Sequence, residues 1–106
     1  MSEDPMWAIV MFDLPVQTKE QRREATAYRH LLKDLGFQMV QLSVYARYSV
    51  TSATSLRLAS TLSAYLPKGG EVRILRVTDR QWSQGFRFCN GDPSDIEQAP
   101  APLLLF

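Results

Sequence analysis

Asp13 is the residue of this 106-residue chain best placed to do chemistry. It follows seven unbroken apolar residues, Met6 to Phe12, and such a run bounded by a turn signal reads as a strand covered on both faces. A carboxylate at the end of that strand costs free energy unless water, a cation or hydrogen-bond donors meet it, and Pro15 stops the strand there by withholding a ladder donor. On these residues alone two readings stay open: Asp13 caps a turn before Pro15, or it presents an acid at a sheet edge. The other chemistry-bearing side chains read more plainly. His30 has no metal-spaced partner and reads as a surface or boundary residue, and Cys89 reads as a small buried residue, because Phe88 and Asn90 supply no base.

Cations are the second chemical feature. Net charge is only +1, yet all twelve Lys and Arg lie between Met6 and Asn90 against six acids, so the central part carries about +6. Arg outnumbers Lys nine to three, which suits phosphate contacts, since a guanidinium grips phosphate as a bidentate fork. The balancing acids, Glu3, Asp4, Asp92, Asp95 and Glu97, sit in the two ends. A hydrophobic content of 45% with a single Cys fits one soluble domain without a disulfide framework. The acidic start lacks the basic n-region of a signal peptide and no apolar run approaches a membrane span, so the expectation is a cytoplasmic protein.

The elements that must position Asp13 follow from periodicity. Thr18-Lys19-Glu20-Gln21 is a capping box that starts a helix. Ala25, Tyr28, Leu32 and Leu35 form its buried face, and Gly36 ends it in a left-handed conformation. Arg22, Arg23 and Arg29 lie on its other sides. From Gln38 to Val50 the period is two, and the length calls for a turn or bulge, expected near Tyr45 to Arg47. Thr51 and Ser52 can cap a second helix whose buried stripe is Leu56, Ala59, Leu62 and Leu66, ended by Pro67 and Gly69-Gly70. Glu71 to Thr78 reads as a strand buried on both faces or bulged between Ile74 and Leu75. A polar connection then carries Trp82, read as a packing residue, and residues 86–90 alternate like one more short strand.

This order, strand-helix-strand-strand-helix-strand with an extra C-terminal strand, is the α+β, ferredoxin-like βαββαβ pattern over residues 6–91. Such a sheet carries helices on one face. Its other face, with Gln41, Ser43 and, depending on the turn, Tyr45 or Arg47, needs a cover, and a homodimer is the natural one. Residues 92–106 form an acidic, proline-containing tail ending in Leu103-Leu104-Leu105-Phe106, an apolar terminus that calls for a docking surface.

Four features together, Phe12-Asp13-Leu14-Pro15 ending the first strand, Arg22-Arg23 in the helix, the Gly36-Phe37 step and Val40-Gln41-Leu42-Ser43-Val44-Tyr45, resemble the CRISPR-associated Cas2 proteins, small nuclease-like partners of the CRISPR integrase. The resemblance spans Trp7 to Gly91. It implies a homodimer in which two copies of Asp13 face each other across the twofold axis and hold Mg²⁺ as metal ligands. Ser43 would then orient phosphate or water, and Arg22, Arg23 and Arg47 would contact nucleic acid. It further implies hydrolysis of RNA or double-stranded DNA, a scaffolding role in spacer acquisition, and a tail in which Leu103, Leu104, Leu105 and Phe106 lie across the dimer or against the integrase. The chain departs from the family at Ala46-Arg47, where an acid is common. The competing readings are a ribonuclease toxin of the same fold, which needs the same acid but no docking tail, and a non-catalytic RNA-binding module, which calls for paired aromatics in a Gly-aromatic motif that this chain lacks.

Overall fold

The computed structural model describes residues 5–49 and 55–90, Ser55 by its backbone alone. Four strands form one antiparallel sheet: β1 (Met6–Asp13), β2 (Gln38–Gln41), β3 (Val44–Ser49) and β4 (Glu71–Thr78), in the order β2-β3-β1-β4. Helices α1 (Lys19–Asp34) and α2 (Ser55–Ala64) cover one face. The ferredoxin-like order is the expected one, and β1, the strand apolar on both faces, takes an interior place between β3 and β4.

On the helix side Val10 and Phe12 from β1 and Tyr45 from β3 close over Tyr28, Leu32, Leu58 and Leu62, each at most 7% exposed. The Tyr28 hydroxyl donates to the Leu62 carbonyl at 2.7 Å. That carbonyl lies in the last turn of α2, where the Leu66 N–H has gone to Ser63 instead, so a side chain from α1 satisfies a helix-end acceptor. Burial pushes the Tyr28 hydroxyl up to about 12 from its ordinary 10.0.

Helix α1 starts and stops as its residues dictate. Gln21 N–H donates to Thr18 Oγ1 and Thr18 N–H to Gln21 Oε1, both at 3.0 Å. At the other end Gly36 (φ +92°) and Phe37 donate to Lys33 and Leu32 carbonyls, a Schellman closure.

Five expectations need correction. The turn between β2 and β3 falls at Leu42 and Ser43, not near Tyr45 to Arg47, because Ser43 itself adopts a left-handed conformation, φ 64°. Tyr45 and Arg47 consequently lie on the helix-bearing face, Tyr45 in the core and the Arg47 stem beside Gly36. In α2 the buried row is Leu58 and Leu62 with Leu66 partly covered, while Leu56 is 86% exposed; the i, i+4 row puts three leucines on the core where the expected stripe would put an alanine among them. The connection after β4 is helical, α3 (Asp79–Ser83), started by a second capping box between Thr78 and Gln81. Among the described residues, 86–90 pair with no strand, and Cys89 within them is exposed. Thr51, Ser52 and the tail 92–106 lie outside the described residues.

The β4 register runs without interruption from Met6↔Thr78 to Asp13↔Glu71, so no bulge explains its mixed pattern, and burial on both faces does not either: Val72 and Ile74 are partly covered on the α1 and α2 side, while Leu75 on the other face stays 44% exposed. Trp82 packs as expected, stacked on Trp7 with ring centroids 5.1 Å apart. His30 is exposed, again as expected.

Candidate functional site

Asp13 is the last residue of β1, and its surroundings are built by three connections. On one side β4 continues the pairing to the end, which sets Glu71 directly opposite Asp13 and Arg73 opposite Met11. On the other side the regular β1–β3 pairing stops at Met11↔Val44, and the Phe12 N–H reaches one residue further, to the Ser43 carbonyl at 3.1 Å. A non-glycine residue in a left-handed conformation costs about 1–3 kcal/mol and persists only where its surroundings fix it. Here the ladder to β1 does so, and it puts Ser43 beside the β1 terminus.

The third connection lies beneath. The turn between α2 and β4, closed by a 2.9 Å bond from Gly70 N–H to the Pro67 carbonyl, packs against Leu14. A Cβ on Gly70 would lie 2.8 Å from Leu14 Cδ2 and 3.1 Å from the Pro67 carbonyl oxygen, so glycine is what admits this approach. With Leu14 held and Pro15 following, the chain leaves β1 abruptly and Asp13 stays exposed at the rim.

Asp13, Ser43, Glu71 and Arg73 thereby line one concave pocket of about 340 Å³. Two of these, Asp13 and Ser43, are the expected pair. Glu71 and Arg73 escaped the sequence reading, since nothing in the chain between marks a register that only the folded sheet supplies. The expected arginines do not gather there. Arg22 Nη1 donates to the Val16 and Gln17 carbonyls at 3.1 and 3.2 Å, bracing the connection between β1 and α1. Arg23 is exposed on α1, and Arg47 is on the opposite face of the sheet. Leu103, Leu104, Leu105 and Phe106 lie outside the described residues.

The donor set of the rim is carboxylate and hydroxyl oxygen, the hard-ligand chemistry that suits Mg²⁺. Among the described residues no three His, Cys, Asp or Glu side chains come together. The chain offers two carboxylates here, Asp13 and Glu71, which fits an ion that keeps several waters.

The face opposite α1 and α2, covered in part by α3, is largely apolar behind the rim. Ile9, Val40, Val44, Leu75, Val77 and Trp82 line a shallow groove of about 610 Å³, and Leu75 is 44% exposed. Phe86 and Phe88, 82% and 89% exposed, stack on each other at one end of it.

Residues 6–84 match the family model described as CRISPR associated protein Cas2. The chain belongs to that family. Among its curated relatives, a CRISPR-associated endoribonuclease Cas2 of Paracidovorax avenae is 42% identical over 101 residues, covering 95% of this chain and 94% of the relative. Another of the same name from Parvibaculum lavamentivorans is 35% identical, covering 95% of this chain and all of the relative. The crystal structure of Streptococcus pyogenes Cas2 at pH 6.5 has a TM-score of 0.62 at 24% identity, covering 79% of this chain and 99% of that one. The Cas2 fold is thus that of the present sheet and helices. No helix among the described residues is long and apolar enough to cross a membrane.

Proposed function

We propose that this Cas2-family protein is a homodimeric CRISPR adaptation subunit whose two Asp13 rims meet and form a Mg²⁺-dependent phosphodiesterase site. The observation that carries the reading is the exposed Asp13 beside Ser43 at the end of an otherwise buried strand, in a chain whose relatives are named endoribonucleases. The apolar groove on the face opposite α1 and α2 supports pairing with a second copy: an exposed surface of this kind on a 106-residue chain calls for a partner.

Asp13 would hold the ion, since two facing carboxylates repel unless a cation or a proton lies between them. When bound, Mg²⁺ supplies charge neutralisation and an acidified water. The Ser43 hydroxyl would donate to a phosphate oxygen or hold that water in line. Arg22, Arg23 and Arg47 would neutralise backbone charge along RNA or double-stranded DNA, Arg47 from the opposite face and so outside the rim itself. In spacer acquisition the dimer would act as a bridge for the integrase, with Leu103, Leu104, Leu105 and Phe106 as a docking segment.

Cleavage of labelled RNA and duplex DNA by wild type and Asp13→Asn, with Mg²⁺ and with EDTA, tests the chemistry. Cleavage is expected with Mg²⁺ and is lost in Asp13→Asn; equal rates for the two proteins would remove Asp13 from the reaction. Capture of the CRISPR integrase by the full chain and by a chain ending at Pro93 tests the tail, and equal capture by both would contradict it.

A further inference from the structure

The pocket at the β1 terminus places two carboxylates, Asp13 and Glu71, side by side on neighbouring strands. Any phosphodiester brought there meets like charge, and an anion is drawn to such a place only where a cation offsets the repulsion. The pocket contains such a group. Arg73 lies two residues beyond Glu71 on β4, opposite Met11, so it shares the face opposite α1 and α2 with Met11, Asp13 and Glu71. A diagonal neighbour in an antiparallel pair stands about 7–8 Å away, within reach of a long side chain.

Its place in the pocket separates Arg73 from the other arginines, and its guanidinium is free to act there. It lines the same pocket as Asp13 and Ser43. It is exposed, and among the described residues no hydrogen bond or ion pair engages its guanidinium. Arg22, by contrast, spends Nη1 on two loop carbonyls, and Arg47 is on the far side of the sheet beside Gly36.

We propose that Arg73 is a phosphate ligand of the Asp13 site, its guanidinium donating to a non-bridging oxygen of the nucleic-acid strand that crosses the rim. The inference rests on the reading of Asp13 as the nucleic-acid site and adds the residue that lets an anion approach it. Glu71 works against it: its carboxylate repels the same phosphate, so the two β4 residues set the net affinity of the pocket in opposite directions.

The test is binding, not turnover. Fluorescence anisotropy of the full chain with end-labelled duplex DNA and single-stranded RNA, in EDTA over a salt series, compares wild type with Arg73→Ala, Arg73→Lys and Glu71→Gln. Arg80→Ala, an exposed α3 arginine outside the pocket, is the charge control. Arg73→Ala is expected to weaken binding about tenfold at low salt, as suits one charge-assisted contact, and to flatten the salt dependence by about 0.9 on duplex DNA and about 0.7 on a single strand. Arg73→Lys restores the slope but only part of the affinity, because an ammonium lacks the planar fork. Glu71→Gln tightens binding. Arg73→Gln, which keeps the length of the side chain, replaces Arg73→Ala should that variant fail to fold. An unchanged slope in the Arg73 variants, an equal loss in Arg80→Ala, or a wild type that binds neither nucleic acid overturns the proposal. Failure of the Asp13 reading shows elsewhere, as undiminished Mg²⁺-dependent cleavage by Asp13→Asn.

Discussion

The two faces of the sheet are made from the same strands and do opposite work. On the side of α1 and α2, Val10, Leu32 and Leu62 are fully covered, and the Tyr28 hydroxyl drawn in among them finds a partner. On the other side Trp7, Ile9 and Ala46 are buried under α3 and its stacked Trp82, while Leu75 stays 44% exposed. Trp82 Nε1 there is buried with no acceptor among the described residues. The first face is finished within one chain; the second is left incomplete, and the charged rim of Asp13, Ser43, Glu71 and Arg73 lies at its end. Under the proposed function, stability and activity are divided between the two sides of β1, whose alternate residues serve one and then the other.

That division can be broken from either side. Leu62→Ala, on the finished face, should lose about 2–5 kcal/mol in denaturant unfolding through cavity formation, and a loss below about 1 kcal/mol would mean that this core is not closed. Leu75→Glu, on the unfinished face, should change folding stability by no more than about 0.5 kcal/mol yet shift the mass measured by light scattering from dimer to monomer. A variant that unfolds but does not dissociate would reverse the assignment of the faces.

Smaller effects sharpen the same contrast. Tyr28→Phe should cost about 1 kcal/mol and should alter the alkaline limit. The folded state holds the Tyr28 proton up to about 12 against an ordinary 10.0, so the stability it contributes is complete below pH 10 and is lost as pH rises through 12. In Tyr28→Phe that part of the decline disappears, as measured by chemical unfolding at stepped pH. Ser43→Gly is the mildest. It relieves the left-handed strain while deleting the hydroxyl, so stability is expected to stay level or rise by a few tenths of a kcal/mol while cleavage falls. Unchanged cleavage would leave Ser43 with a turn-forming role alone.

Much of the fold was legible because local chemistry and global architecture agree. Thr18 with Gln21, Gly36 with Phe37, and the apolar run into Asp13 each announce one conformation. The turn at Leu42 and Ser43 was not legible, because a serine in a left-handed conformation carries none of the Gly or Asn signal that usually marks one. The box of Thr78 and Gln81 repeats the spacing of Thr18 and Gln21 and was present to be read as the start of α3. In α2 the choice between the Leu56 and Leu58 stripes depended on which side of the helix met Val10 and Phe12, a tertiary fact. Residues 86–90 alternate like a strand but have no neighbour to pair with among the described residues. The place of Asp13 at the end of an apolar strand could be read from its own neighbours, which left a turn cap and a rim acid as open roles. The places of Glu71 and Arg73 in the pocket could not, since they exist only through the β1–β4 register.

The central claim is that two Asp13 rims meet across a dimer axis, and a distance measurement addresses it most directly. Nitroxide labels attached to Asp13→Cys in a Cys89→Ser background report the separation of the two copies by dipolar coupling. The account predicts strong coupling at short range in the labelled dimer with Leu75 intact, lost when Leu75→Glu is added. Labels far apart in an intact dimer, or no coupling at all, would contradict it.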